Sequence, residues 1–230
     1  IMSPQSIWYA EQVNLEALFI SNPSLETEFE ARKKVIKKGN YIYLPEEVSN
    51  KIYFILNGKV KIGTFRDNEK EIVTAILQTG DVFSEMSILG EKIRKDFAIS
   101  TTDCTLVAFT KSELNVLMKN HSALSILMMR IMNERVIEME DRLESLIFKD
   151  SRTRILEFLI SRIEKSGQRI GYEWVLRNFI THQDIASLTS TSRQTVTMIL
   201  NDLRNNNIIQ FDRKRLLVRD LAKLKSSVNK

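Results

Sequence analysis

The residues with the most chemical potential lie between Thr181 and Arg215. In Thr181-His-Gln-Asp184 a hydroxyl stands three residues before an acid, the arrangement in which the hydroxyl caps the Asp184 amide and the carboxylate sits at the positive end of a helix. Ile185, Ala186 and Leu188 supply one buried face. After a short polar turn, Thr189-Ser190-Thr191, a second capped start is expected in which Thr191 and Gln194 form the box, followed by a buried row of Val196, Ile199, Leu200 and Leu203. Such a pair leaves Ser192, Arg193, Gln194, Thr197, Met198 and Asn201 on the outside of the second helix, with Thr181, His182 and Gln183 at the start of the first. These side chains suit base edges and phosphates. Arg pairs in bidentate fashion with guanine O6 and N7, Gln with adenine, an apolar Met meets a thymine methyl, and hydroxyls reach phosphates or bases. Beyond Asn205-Asn206-Asn207, Ile208 to Phe211 and Leu216 to Val218 read as two strands. Arg213, Lys214 and Arg215 stand at the tip between them, a basic wing placed for backbone phosphates. A Thr-capped amphipathic helix alone is ordinary structure; the capped pair, polar face and basic hairpin together point to a helix-turn-helix whose second helix enters a major groove.

Charge agrees with that reading. The 230-residue chain carries a net +5. From Asp150 onward there are 15 Lys+Arg against 8 Asp+Glu, a net of +7, which leaves 19 against 21, or −2, for residues 1–149. The excess belongs to the last third, as counterion release from phosphates requires.

Upstream elements must position this unit. Residues 35–110 read as short strands, Tyr41 to Leu44, Lys51 to Leu56, Lys59 to Phe65, Glu71 to Leu77 and Thr105 to Phe109. They are separated by turn signals at Gly39-Asn40, Asn57-Gly58, Asp67-Asn68 and Gly80-Asp81. Without a long helix between them, they predict an antiparallel roll or barrel, with Asn57-Gly58 the strongest hairpin signal. After Thr110 the pattern becomes helical: a short piece from Ser112 to about His121, then a long one to about Phe148. Met129, Met132, Val136, Met139, Leu143 and Leu146 recur along it at spacings of three and four, flanked by charges, which is a coiled-coil seam. A helix packed on its own domain is the alternative. The division expected is residues 1–110 with N-terminal helices and the roll, 111–149 the dimerisation helix, and 150–230 the DNA-binding domain, the whole of class α+β. From Ser151 a helix with Ile155, Leu156, Phe158, Leu159 and Ile163 inside opens the basic domain, and strands are expected at Trp174 to Phe179 and Leu216 to Val218.

With 43% hydrophobic and 27% charged residues the composition is that of a folded globular protein; no apolar run is long enough for a bilayer, and no membrane partner is expected. No leader pattern is evident and Cys104 is the single cysteine, so a reducing, cytoplasmic setting is expected. Nothing resembles an enzyme: nucleophile, base and orienting group do not converge, and no Walker-type loop occurs. The acidic run Glu138, Glu140 and Asp141 reads as a solvated helix flank. Four thiolates for an iron–sulfur cluster are absent, Cys104 lies in an apolar strand, and His121 and His182 offer neither a haem nor a metal site.

The motifs carry a resemblance. Thr181-x-x-Asp-Ile-Ala, Thr191-Ser-Arg-Gln-Thr-Val, Ile199-Leu200-x-x-Leu203 and Asn207-Ile208-Ile209 resemble the helix-turn-helix of the Crp-Fnr superfamily of bacterial regulators. Ile52-Tyr-Phe-Ile-Leu-Asn-Gly58 and Gly80-Asp-Val-Phe-Ser-Glu-Met-Ser-Ile-Leu89 resemble its cyclic-nucleotide-binding β-roll, of the double-stranded β-helix type. The likeness runs from about Phe29 to Leu221. It implies an N-terminal roll, a dimer helix and a winged helix-turn-helix, and a homodimer on an inverted repeat, with RNA polymerase and an unidentified small-molecule effector as further candidate partners. Where the family shows Arg, Glu and Arg on the recognition helix, this chain has Arg193, Gln194 and Met198, so a different half-site is expected. For the effector pocket the resemblance implicates Phe83, Ser84, Glu85, Met86, Ser87, Arg94 and Lys95, with Met139 and Glu140 from the dimer helix. The family's Gly-Glu is here Ser84-Glu85, and its Arg-Ser falls on Lys95-Asp96 or, one residue earlier, Arg94-Lys95. An acid at the phosphate position and a Ser in place of Gly weigh against cAMP or cGMP. The rival reading, a cyclic-nucleotide-dependent signalling module whose basic domain docks protein, is disfavoured by the helix-turn-helix.

Overall fold

A computed structural model describes residues 19, 22–66, 70–177, 179–212 and 215–229. The chain divides into two compact units, one ending at Glu138 and one comprising 139–230, the boundary lying inside a long helix.

In the first unit α1 (Pro23–Glu30) starts on a proline, whose missing N–H costs nothing at a helix start, and buries Leu25 and Phe29. Eight strands follow: β1 (Lys33–Ile36), β2 (Tyr41–Tyr43), β3 (Lys51–Asn57), β4 (Lys59–Arg66), β5 (Lys70–Gln78), β6 (Val82–Phe83), β7 (Phe97–Ser100) and β8 (Cys104–Thr110). They form two antiparallel four-stranded sheets, β1-β8-β3-β6 and β2-β7-β4-β5. Alternation along β3 and β8 serves two cores at once, because successive side chains leave a strand on opposite faces. Ile55, Cys104 and Leu106 fill the inside of the roll with Val60, Leu77 and Phe83. Ile52, Phe54, Val107 and Phe109 join Leu25, Phe29 and the helices that follow.

The hairpin expected at Asn57-Gly58 is not formed. β3 and β4 are separated by Gly58 alone, yet they belong to different sheets and do not pair. Gly58 has φ +104°, and a Cβ there would stand 2.6 Å from the Asp103 carbonyl oxygen and 2.6 Å from Cys104 Sγ. The positive φ that marks a tight turn serves here as a corner between sheets. The true hairpin is β4–β5, in register from Lys59↔Gln78 to Arg66↔Lys70 with a bulge at Ile62/Gly63; the turn signal at Asp67-Asn68 lies outside the described residues. β1, β6 and β7 were not anticipated.

Thr110 ends β8 and caps α2 (Lys111–Asn120) in a full box, its hydroxyl accepting from the Glu113 amide while Glu113 accepts from the Thr110 amide at 2.7 Å. Helix α3 (Ser122–Phe148) buries Leu124, Met128 and Ile131 in the first unit's core. The row Met129, Val136, Met139, Leu143 and Leu146 is a different one, and it is 41 to 66% exposed, with Met132 half-buried.

In the second unit Asp150 accepts the Thr153 amide at 2.7 Å and starts α4 (Ser151–Ser166), which buries Ile155, Leu156, Phe158, Leu159 and Ile163. β9 (Gln168–Ile170), β10 (Glu173–Arg177), β11 (Ile209–Phe211) and β12 (Arg215–Val218) make an antiparallel sheet of order β11-β12-β10-β9. Between β10 and β11 run α5 (His182–Leu188) and α6 (Arg193–Asn205), and α7 (Leu221–Ser226) follows β12. Among the described residues no helix is long and apolar enough to cross a membrane.

Candidate nucleic-acid interface and effector cavity

Thr181 caps α5 through its hydroxyl, 3.1 Å from the Asp184 amide, as its sequence position requires. The second cap falls one residue later than expected. Ser192, not Thr191, is the N-cap of α6, accepting the Thr195 amide at 3.0 Å; two adjacent hydroxyl residues offered the same chemistry, and the intervening turn, Thr189 to Ser192 with Ser190 at φ +51°, decides between them. α6 is sharply two-sided: Val196, Ile199, Leu200 and Leu203 are buried, while Ser192, Arg193, Gln194 and Met198 are exposed, Met198 by 64%, with Thr197 and Asn201 half-buried. It ends at Asn205, and two residues on Asn207, at φ +57°, donates its amide to the Arg204 carbonyl and lets the Ile208 amide return to the Leu203 carbonyl, both at 3.0 Å. That helix end directs the chain into the wing.

The wing is the β11–β12 pair. Asp212 holds its turn, accepting the Arg215 amide at 2.9 Å and Arg215 Nε at 3.0 Å; Arg213 and Lys214 lie outside the described residues. An open groove of about 780 Å³ runs between the start of α5, the start of α6 and the wing. Thr181, His182, Gln183 and Arg193 line it, with Phe179, Phe211 and Asp212. His182 Nδ1 lies 2.9 Å from Thr197 Oγ1, and its ring meets Phe211 edge-on at 5.6 Å. Burial first, and the Arg193 charge second, hold its pKa below the usual 6.5.

Two arginines that the sequence reading did not single out fasten the turn between α5 and α6. Arg154, 8% exposed, donates from Nε to the Thr189 carbonyl at 2.9 Å, from Nη1 to Lys149 at 2.6 Å and from Nη2 to Ser190 at 3.2 Å. Arg142 donates to the neighbouring Leu188 carbonyl at 3.4 Å. The C-terminal end of α5, where carbonyls accumulate partial negative charge, is thus met by cations from α3 and α4.

In the first unit a cavity of about 170 Å³ opens inside the roll. Phe83, Ser84, Glu85, Met86 and Arg94 line it; Ser87 is buried with its hydroxyl on the Ser84 carbonyl, and Lys95 is exposed, so neither borders the space. Met139 and Glu140 belong to the other unit and are exposed. Tyr43, Glu91, Asp96 and Arg135 also line the cavity. Arg94, 3% exposed, stacks 3.8 Å from the Tyr43 ring centroid and donates to the Ser84 hydroxyl and, at 3.2 Å, to the Lys51 carbonyl. Arg135, from α3, faces Glu85 at 3.6 Å and the Val82 carbonyl at 3.2 Å. Burial, then the Glu91 charge, raises the Asp96 pKa. Ser84 sits at φ +64°, the left-handed conformation that a glycine would take without strain. Among the described residues no group of three His, Cys, Asp or Glu is placed to hold a metal.

Comparison with known proteins matches this geometry domain by domain. Residues 33–121 match the cyclic nucleotide-binding domain and residues 153–227 the Crp-like helix-turn-helix domain. The global nitrogen regulator of Nostoc is 27% identical over 80% of this chain and 84% of its own length. A protein of Mycobacterium tuberculosis described as a CRP-like cAMP-activated global transcriptional regulator is 26% identical over 81% and 84%. A variant of CooA from Carboxydothermus hydrogenoformans superposes with a TM-score of 0.77 at 24% identity, over 97% of this chain and 99% of that one. Regulators of this kind bind DNA, function as dimers and are not enzymes. A roll matching the nucleotide-binding domain, a long helix and a Crp-like helix-turn-helix in one chain make this protein a member of the Crp-Fnr superfamily, a DNA-binding transcription regulator.

Proposed function

We propose that the protein acts as a homodimer on an inverted-repeat operator, each α6 reading one half-site, in the bacterial cytoplasm where that DNA lies. The observation that carries this reading is the two-sidedness of α6: a fully packed face beneath Arg193, Gln194 and Met198, which stand clear of the protein at its N-terminal end. Arg193 contacts guanine, Gln194 adenine and Met198 a thymine methyl; Ser192, Thr197 and Asn201 reach phosphates or base edges. Thr181, His182 and Gln183 meet the backbone beside the groove, and Arg213, Lys214 and Arg215 meet it from the wing. Met129, Met132, Val136, Met139, Leu143 and Leu146 form the dimer seam, supported by the exposure of all but the half-buried Met132 in a single chain. RNA polymerase is the further partner through which such a regulator acts on transcription.

The roll relays its state through α3 and the hinge at Lys149-Asp150. A cyclic nucleotide is not its effector. Three carboxylates, Glu85, Glu91 and Asp96, face two guanidiniums in the cavity, and Arg94 already has its partners within the protein. An anion there would lie against a surplus of negative charge.

Selection of duplexes from a random pool tests the interface. The wild type is expected to retain an inverted repeat whose half-sites differ from those of the cAMP receptor protein, and Arg193→Ala to lose discrimination at one guanine, about 1–3 kcal/mol at that base pair. Unchanged selectivity in Arg193→Ala would remove the basis of the reading.

A further inference from the structure

Thr197 stands between two partners. Its hydroxyl oxygen lies 2.9 Å from the Arg193 carbonyl oxygen, one turn back in α6, and 2.9 Å from His182 Nδ1. A carbonyl only accepts and a hydroxyl has one proton, so that proton goes to Arg193 and the hydroxyl oxygen accepts from His182. Nδ1 must therefore carry a hydrogen. Titration of the ring falls to Nε2, which has no hydrogen-bond partner among the described residues. Gaining a proton there disturbs nothing, since the Nδ1–H bond to Thr197 is common to the neutral and charged forms.

The ring is also held in place. Its edge contact with Phe211 joins α5 to the wing, and its bond to Thr197 joins α5 to α6. The charged groups around it are Arg193 from α6, Asp212 from the wing turn, the Arg204 guanidinium 5.3 Å from the Phe211 ring centroid, and the buried Asp184 of its own helix. Burial and Arg193 favour the neutral ring while the groove is empty. A phosphate entering the groove would offset the Arg193 charge and offer Nε2 an acceptor, and both effects favour the cation.

We propose that His182 is a proton-linked phosphate contact: its imidazolium grips the DNA backbone through Nε2–H, and each protomer takes up one proton from solution as it binds. The inference rests on the interface reading above and adds to it a sign, with affinity for duplex rising as pH falls.

The test is duplex binding by the full-length protein at fixed ionic strength between about pH 6 and pH 8, the range in which His titrates. The wild type should tighten on acidification, approaching a tenfold gain per pH unit for each half-site engaged. His182→Gln, an uncharged donor near the Nε2 position, should bind weakly and without that slope. His182→Arg, a permanent cation, should bind tightly and without it. A purely structural role predicts the reverse order, with Gln tolerated and Arg harmful. Because the chain has two histidines, imidazole resonances provide a second readout on unaltered protein: the His182 signal should report a protonated Nδ1 in the free state and a raised pKa with DNA. A flat wild-type profile, or the same slope in His182→Gln, overturns the proposal. Absence of salt-sensitive duplex binding at every pH would instead remove the interface itself.

Discussion

Replacing Arg154 by Ala takes three carbonyl oxygens away from one guanidinium. The Thr189 carbonyl belongs to a residue with no exposed surface, so water does not take over at that point, and an abandoned buried acceptor costs about 1–3 kcal/mol. Lys149 and Ser190 are more open and rehydrate, losing about 1 kcal/mol between them. The expected loss is about 3 kcal/mol. In a unit of this size that lowers the midpoint of thermal unfolding by about 12–24 °C. Arg154→Lys keeps the charge but not the fork, and should lose about half as much. Arg215→Ala is the contrast, because its pair with Asp212 is exposed and worth well under about 1 kcal/mol. Denaturant unfolding followed by the fluorescence of Trp174 in β10, in a Trp8→Phe background, isolates the second unit's transition. A cost below about 1 kcal/mol for Arg154→Ala would refute the reasoning, since the turn would then be held by something other than this side chain.

Gly58→Ala should destabilise the roll by about 2–4 kcal/mol, because the added carbon meets backbone as well as sulfur at a φ that L-residues avoid; a denaturation midpoint near wild type would show that the corner yields. Leu143→Glu should shift the protein to monomer in sedimentation and weaken operator binding at least about tenfold, each buried Leu being worth about 1.5–3 kcal/mol; an intact dimer would place the interface elsewhere. Calorimetric titration with cAMP should give no binding at micromolar concentrations, and tight binding would show that the cavity's carboxylates do not exclude an anion.

The DNA-binding unit was legible because its signals are local. A hydroxyl three residues before an amide, a buried row at helical spacing and a polar row opposite it all lie within one stretch of sequence. The ambiguity between Thr191 and Ser192 shows the resolution of such signals, since both residues cap and only the path of the preceding turn selects one. In the roll, Asn57-Gly58 announced a positive φ correctly but not its use, because whether the following strand turns back or crosses to a second sheet depends on partners far along the chain. β1 was invisible for the opposite reason: three of its four residues are exposed, so it carries no alternation. In the cavity, Arg135 comes from a helix some fifty residues from Glu85, and no spacing rule joins them. The arginines of the helix-turn-helix turn escaped for the same cause, since their partners are backbone carbonyls, which leave no mark in the sequence.

The position of β8 has a consequence for how the chain comes into being. It pairs with β1 on one side and β3 on the other, bringing Lys33 to Val107 and Lys51 to Thr110, so the last strand of the roll to leave a ribosome is an inner strand of its sheet. Until then β1 and β3 have no common neighbour, and the apolar residues of β3, Ile52, Phe54 and Ile55, wait with only β6 beside their strand while dozens of residues are added. The last strand of the second unit, β12, is likewise an inner one, between β11 and β10, but it follows β10 by fewer residues than β8 follows β1 or β3, so the slower step in maturation belongs to the roll.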